Sequence, residues 1–351
     1  MDAIHLLREA VDQGASDIFV IVGLPFTYKI DGVMVHHQDS VCLISSDCET
    51  FVREIYAMAH RAIEPLLENG DDDFSFAIKG ISRFRANIYR QRGTLAAVIR
   101  VVLFELPDPV RLGIPEEVLA LASCQKGLVL VTGPAGSGKT TTLACIIDRI
   151  NQTRSAHVIT LEDPIEYLHR HNKSIVSQRE ISTDTVSYVT ALRAAMRQAP
   201  DVILLGEMRD FETISVAMTA AETGHLVIST LHTVGAANAI DRIVDAFPPA
   251  QQGQARVQLA QILQAVVSQQ LLPREQGGEE PVFEIMLANT AIRNMIRESK
   301  IHQIETAMYS DQRMRTMDNS LLALFKAKVI SEKTALLYSL SPDALSRRLK
   351  G

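Results

Sequence analysis

Apolar and polar positions in this 351-residue chain change texture near residue 106, and the two textures predict two kinds of sheet. In the first stretch Ile4, Leu7 and Val11 recur at helical spacing, and Gly14 closes that helix. DIFVIV (17–22) and FTYKI (26–30) read as strands, with Asp31-Gly32 as a hairpin turn into VMV (33–35). A helical segment covers about 48–68. DFSFAI (73–78) alternates Phe74, Phe76 and Ile78 inward, turns at Lys79-Gly80 and pairs with SRFRANIYR (82–90). LAAVIRVVLF (95–104) closes a small α/β domain over 1–106. Three prolines in LPDPVRLGIP, namely Pro107, Pro109 and Pro115, mark an interdomain linker at 107–115.

After the linker the apolar runs lose their polar alternation: GLVLVTG (127–133), HVITLE (157–162), DVILLGE (201–207) and HLVIST (225–230). Such runs, separated by helical patterns, are what a parallel sheet covered on both faces requires. They predict an α/β domain over 116–280, ended by Gly277-Gly278, and a mostly helical region over 281–351 that opens with AIRNMIRE (291–298).

Composition narrows the class. Hydrophobic residues are 47% and charged residues 22%, enough for a buried core without staples. Thirty-five Lys and Arg stand against 41 Asp and Glu, Trp is absent and aromatics are 5%, a balance that argues against a nucleic-acid partner. The four cysteines, Cys42, Cys48, Cys124 and Cys145, form no C-x-x-C pair, so a zinc site or a disulfide framework is not expected. The N-terminus carries acids and no signal-peptide core, and no apolar run nears the ~18 residues of a membrane span. A cytoplasmic location is the expectation.

The chemistry begins at GPAGSGKT (133–140), between an apolar strand and a helical pattern. Gly133, Pro134, Ala135, Gly136, Ser137 and Gly138 form a loop whose N–H groups can cradle phosphate oxygens at a helix N-terminus. Lys139 reaches the β/γ-phosphates, and the Thr140 hydroxyl ligates Mg²⁺. The guanine-reading N-K-x-D element has only a near miss at Asn172-Lys173-Ser174-Ile175, so ATP is favoured over GTP. Glu207, one residue past its apolar strand, is placed to activate an attacking water. Glu162 and Asp163 end the preceding run, on the edge where open α/β sheets bind ligands; they would support the metal, the alternative being a solvated strand end. His232 follows another strand on that edge, where it could orient the water or sense the γ-phosphate; His225 precedes the same strand. In the small domain Arg83 and Arg85 share one strand face and Arg100 interrupts another strand. They read either as a solvated sheet face or as arginine fingers.

Together these segments resemble the secretion and pilus motor ATPases, specifically the PilT-like type IV pilus retraction ATPases. The likeness rests on GASD (14–17), SRFRAN (82–87), GPAGSGKTT (133–141), ITLEDPIEY (159–167), VILLGEMRD (202–210), TGHLVISTLHT (223–233), IDRIVDAFPP (240–249) and AIRNMIRE. The resemblance implies a PAS-like N-terminal domain followed by a RecA-like P-loop ATPase domain and a C-terminal helical appendage. It implies a homohexameric ring at the cytoplasmic face of the inner membrane, acting on a pilus platform protein. It implies that Thr141 joins the nucleotide loop, that Glu162 supports Mg²⁺ and Glu207 is the catalytic carboxylate. By the same likeness His225 and His232 lie in the His box, and Arg83, Arg85 and Arg100 are candidate fingers. AIRNMIRE corresponds to the segment associated with retraction, with Arg293 and Arg297 at i, i+4. Assembly motors of this superfamily carry an extra N-terminal domain and a four-cysteine zinc insertion, and neither is read here. Departures include Ala199, where the family often has Asp, and Met295, where it usually has Leu.

Overall fold

The computed structural model describes residues 2–30, 32–37, 41–102 and 106–350. Asp31 of the expected hairpin turn and Leu103 and Phe104 of the expected last strand lie outside the described residues. Backbone contacts divide the chain into two units, Met1–Glu105 with Glu166–Leu168, and the remainder.

The first unit contains α1 (Ala3–Asp12), β1 (Asp17–Val20), β2 (Thr27–Ile30), β3 (Val33–His36), α2 (Ser45–Met58), α3 (Glu64–Asn69), β4 (Asp71–Ile78), β5 (Ser82–Gln91) and β6 (Thr94–Val102). The strands form one antiparallel sheet in the order β3-β2-β1-β6-β5-β4. Alternation puts Phe84, Ala86 and Ile88 of β5 and Ala97 and Ile99 of β6 into a core shared with Phe51, Val52 and Ile55 of α2. Two expectations shift. The buried stripe of α1 is Ala3, Leu6, Leu7 and Ala10, while Ile4 is 42% exposed. Alanines set that face by letting the helix approach closely, which a count of large apolar residues overlooks. The helix expected over 48–68 is two helices, because Pro65 at the start of α3 cannot donate to a preceding turn.

In the second unit, α4 (Glu116–Leu119) precedes β7 (Gly127–Thr132), α5 (Lys139–Thr153), β8 (His157–Glu162), β9 (Ile175–Glu180), α6 (Tyr188–Ala195), β10 (Val202–Leu205) and α7 (Phe211–Glu222). There follow β11 (Leu226–Leu231), α8 (Ala236–Asp245), α9 (Pro249–Ile262), β12 (Leu263–Pro273) and β13 (Glu279–Leu287). Seven strands run in the order β13-β12-β7-β11-β10-β8-β9, parallel throughout except for the β12–β13 pair. One face packs Leu130, Leu161, Leu205 and Val227 against α6 to α9; the other packs Val129, Val131, Leu204 and Ile228 against α4 and α5. This is the two-sided cover the apolar runs demand.

Gly277-Gly278, read as the end of this unit, is instead the turn of the β12–β13 hairpin, with φ of +88° and +80°. Residues 281–287 are therefore strand, and helices begin only at α10 (Thr290–Arg297). After it come α11 (Ile304–Met308), α12 (Met317–Lys326), α13 (Glu332–Tyr338) and α14 (Pro342–Leu349). Strand β12 escapes a reading for apolar runs because Ser268, Gln269 and Gln270 interrupt it, yet all three are buried.

Candidate active site

Backbone hydrogen bonds tie the C-terminal ends of four strands into one edge. Gly206 N donates to Leu161 O at 2.8 Å, Met208 N to Thr230 O at 3.2 Å, and Gly133 N to Leu231 O at 3.2 Å. Glu162 at the end of β8, with Glu207, His232 and the loop from Gly133 just past their strands, therefore share that edge.

The loop is shaped by close approach. Gly133 adopts φ +145°, and a Cβ there would sit 2.1 Å from Gln269 O and 2.8 Å from Ser137 Oγ. Gly138 stands at the N-cap of α5 with φ +83°, so the first N–H groups of α5 open toward the loop mouth. Lys139 is buried and donates to Gly133 O at 2.9 Å and Pro134 O at 2.7 Å. Its ammonium thus lies over the loop, bonded to two of the loop's own carbonyls. Pro134, Ala135 and Gly136 are exposed, whereas Ser137 Oγ and Thr132 Oγ1 are buried without hydrogen-bond partners, spare polar capacity next to the loop. Thr140 and Thr141 are half-buried on the first turn of α5. Beside Gly138 and Thr141 opens a cavity of about 270 Å³, lined by Leu112, Ile114, Leu271 and Pro281 with Arg111 and Arg274.

Glu207 is 12% exposed; its Oε2 accepts from Arg209 Nε at 2.6 Å and lies 3.4 Å from His232 Nε2. Glu162 Oε1 accepts from Thr160 Oγ1 at 2.6 Å and from Gln178 Nε2 at 3.2 Å; Asp163 beside it is exposed. The Tyr188 hydroxyl lies 2.8 Å from where a Cβ on Gly206 would stand. Burial, reinforced by Asp163, Glu207 and Glu162, holds this phenol well above its usual range, so it stays neutral beside the carboxylates. Arg209, Gln178 and Tyr188 escape sequence reasoning: Arg209 is an ordinary charged residue two places after Glu207, and only the packing of β9 and α6 beside the acids brings Gln178 and Tyr188 to them. Among the described residues no three His, Cys, Asp or Glu side chains converge as a metal cage. Thr140, Glu162 and Asp163 offer hard oxygen donors of the kind Mg²⁺ takes.

His225 departs from its expected place at the nucleotide. It precedes β11, its carbonyl accepts from Gly127 at the start of β7, and its Nδ1 lies 2.9 Å from Ala220 O at the end of α7. A six-residue strand separates it from the loop edge, roughly 20 Å at strand rise. Within its own chain His225 closes a helix end. AIRNMIRE also divides its arginines. Arg293 donates to Ala288 O, Ala260 O and Gln261 O, each at 2.7 Å, and so caps α9, while Arg297 is exposed and bonded to Asn294.

In the first unit Arg83 and Arg85 are half-buried on the sheet face opposite Phe84 and Ala86, as alternation predicts. Arg85 pairs with Asp73 at 2.7 Å and Arg100 with Asp17 at 3.0 Å. Arg85 and Arg100 are direct cross-strand neighbours, so the two aspartates offset a like-charge contact. Arg100 remains 67% exposed.

Residues 3–335 match the family described as type II/IV secretion system protein. The chain is 42% identical over 338 residues to the type IV pilus retraction ATPase PilT of Pseudomonas aeruginosa, covering 95% of this chain and 97% of that protein. It is 35% identical over 353 residues to the type IV pilus ATPase PilU of the same organism, covering 100% of this chain and 92% of that one. Among solved structures, the pilus retraction motor PilT with bound ADP aligns at a TM-score of 0.90 and 46% identity, covering 99% of each chain.

Proposed function

This chain belongs to the type II/IV secretion system protein family, and from that premise we propose that it is an ATP-hydrolysing motor for type IV pilus retraction. The observation that carries the reading is the convergence of a phosphate loop with Glu162, Glu207 and His232 on one edge of a parallel sheet. Loop N–H groups and Lys139 bind the phosphates, with Lys139 exchanging its loop carbonyls for phosphate oxygens. The cavity beside Gly138 and Thr141 takes the base and ribose between apolar walls. Thr140, Glu162 and Asp163 are the side chains that would hold magnesium, whose chemistry there would be to offset phosphate charge. Glu207 orients a water and takes its proton once Arg209 releases the carboxylate, and His232 steadies the same oxygen.

The working form is a homohexamer in which Arg83, Arg85 and Arg100 serve a neighbour's nucleotide, Arg85 and Arg100 after leaving Asp73 and Asp17. Domain motion driven by binding and product release acts on an inner-membrane platform protein from the cytoplasmic side. Among the described residues no helix is long and apolar enough to cross a membrane, so docking would run through that partner. A second reading is an accessory pilus ATPase; of the two pilus ATPases compared, PilT is the nearer by identity.

Glu207→Gln should still bind ATP while turnover drops by about 10²-fold or more, measured on purified protein. Near-normal hydrolysis would remove Glu207 from the mechanism. Live imaging of pili in a strain lacking the gene, complemented with wild type, separates the two readings. Retraction restored by this chain alone supports the motor; restoration only beside a second ATPase supports the accessory role.

A further inference from the structure

Helix α8, which follows His232, starts at Gly235 and brings no capping side chain of its own. Its first N–H groups are met from two neighbouring strands. Ser268 Oγ on β12 accepts from Gly235 N at 2.9 Å, and Glu284 Oε1 on β13 accepts from Ala236 N at 2.6 Å. The other oxygen, Glu284 Oε2, accepts from Met317 N at 3.0 Å, at the start of α12. Ser268 and Glu284 are cross-strand partners; Ser268 pairs next with Thr132, and Thr132 with Leu231. One row across four strands thus begins beside the phosphate loop and His232 and ends at a carboxylate joining two helix starts.

Glu284 is 4% exposed and Ser268 fully buried. The carboxyl group faces two helix N-termini, and among the described residues no ion pair reaches it. Burying a carboxylate costs several kcal/mol in general, which an apolar side chain of similar volume would avoid. What an apolar residue could not do is accept from α8 and α12 at once. Only residues 233–235 separate His232 from the capped Ala236, so the turn that carries His232 is held by the end of β11 on one side and the start of α8 on the other.

We propose that Glu284 is a positioning residue for ATP hydrolysis: it fastens the turn after His232, and so the His232–Glu207 contact, to the C-terminal helices through one buried carboxylate. This rests on the reading of Glu207 and His232 as the pair that handles the attacking water.

A double-mutant cycle on the full-length protein tests it. Glu284→Gln keeps the volume and one acceptor but turns an NH₂ toward one of the two N–H donors. Its kcat should fall at least tenfold, with the Kd for a fluorescent ADP analogue unchanged within twofold. In a His232→Ala background the same substitution should cost less than twofold. No fall, or equal falls in both backgrounds, overturns the proposal. Ser268→Ala removes the neighbouring acceptor and should show the same non-additivity with a smaller fall, and it carries the test if Glu284→Gln does not fold. Hydrogen exchange over 232–240 reads the fastening without any turnover. Faster exchange in either variant supports it, and unchanged exchange overturns it. A wild type that turns over no ATP while its exchange responds would count against the Glu207–His232 reading and leave the fastening in place.

Discussion

His169 ties this protein's stability to pH through one imidazole. Burial lowers its pKa to about 4, and its Nδ1 has no hydrogen-bond partner. The folded pKa lies below the unfolded value of about 6.5, so between them the unfolded chain takes up a proton that the folded chain refuses. Stability is therefore intact above pH ~6.5 and lost as pH falls toward 4. In His169→Asn the loss of unfolding free energy between pH 7 and 4.5 should shrink by about 2 kcal/mol in chemical denaturation. An unchanged difference would assign the acid sensitivity elsewhere. At this scale the phosphate loop, Glu162, Glu207 and His232 were legible, because each sits within two residues of a recognisable strand end or helix start. The Tyr188 hydroxyl among carboxylates and the Gln178 contact were not, since those neighbours arrive on a helix and another strand; the Arg209–Glu207 bond is local, but spacing alone does not say which way the guanidinium turns.

Arg293 shows how one side chain can join two elements. From α10 it meets the last carbonyls of α9, Ala260 O and Gln261 O, which no turn of their own helix can satisfy. Arg293→Ala should destabilise the protein by about 2–3 kcal/mol, the range of charged hydrogen bonds left unmade. Arg293→Lys should recover less than half, because an ammonium cannot span three carbonyls as a guanidinium does. Denaturant midpoints decide it; a loss under about 0.5 kcal/mol in Arg293→Ala would return the residue to a surface role. Elements with one texture were read correctly: the unbroken runs of β7, β8, β10 and β11, and the alternation of β4 and β5. Strand β12 was missed because its polar residues are buried for partners elsewhere. Thr142 Oγ1 donates to Gln269 Oε1 at 2.7 Å, and Ser268 receives Gly235. Glycines 277 and 278 were read as a domain end and are a hairpin turn, because nothing local says which of the two a glycine pair closes.

For the whole molecule, the proposed ring makes a prediction that a single chain cannot satisfy alone. If Arg100 serves a neighbour, Lys139→Ala and Arg100→Ala proteins should each be inactive, while a mixture reassembled from both regains about a quarter of wild-type turnover, the share of sites with both partners intact. No recovery in mixtures shown to co-assemble would place Arg100 outside the neighbour's site. The sequence by itself determined the class of fold, the ATP chemistry and the family, because those depend on local spacing: glycines that admit phosphate, apolar runs that need two-sided cover, acids just past strand ends. Only the tertiary structure decided which of those residues meet. It sent His225 to the far edge of the sheet, turned Arg293 onto a helix end, and gave Glu284 two helix starts to hold. A hydrogen bond is set by where separate strands and helices cross, and that crossing has no period in the chain from which to read it.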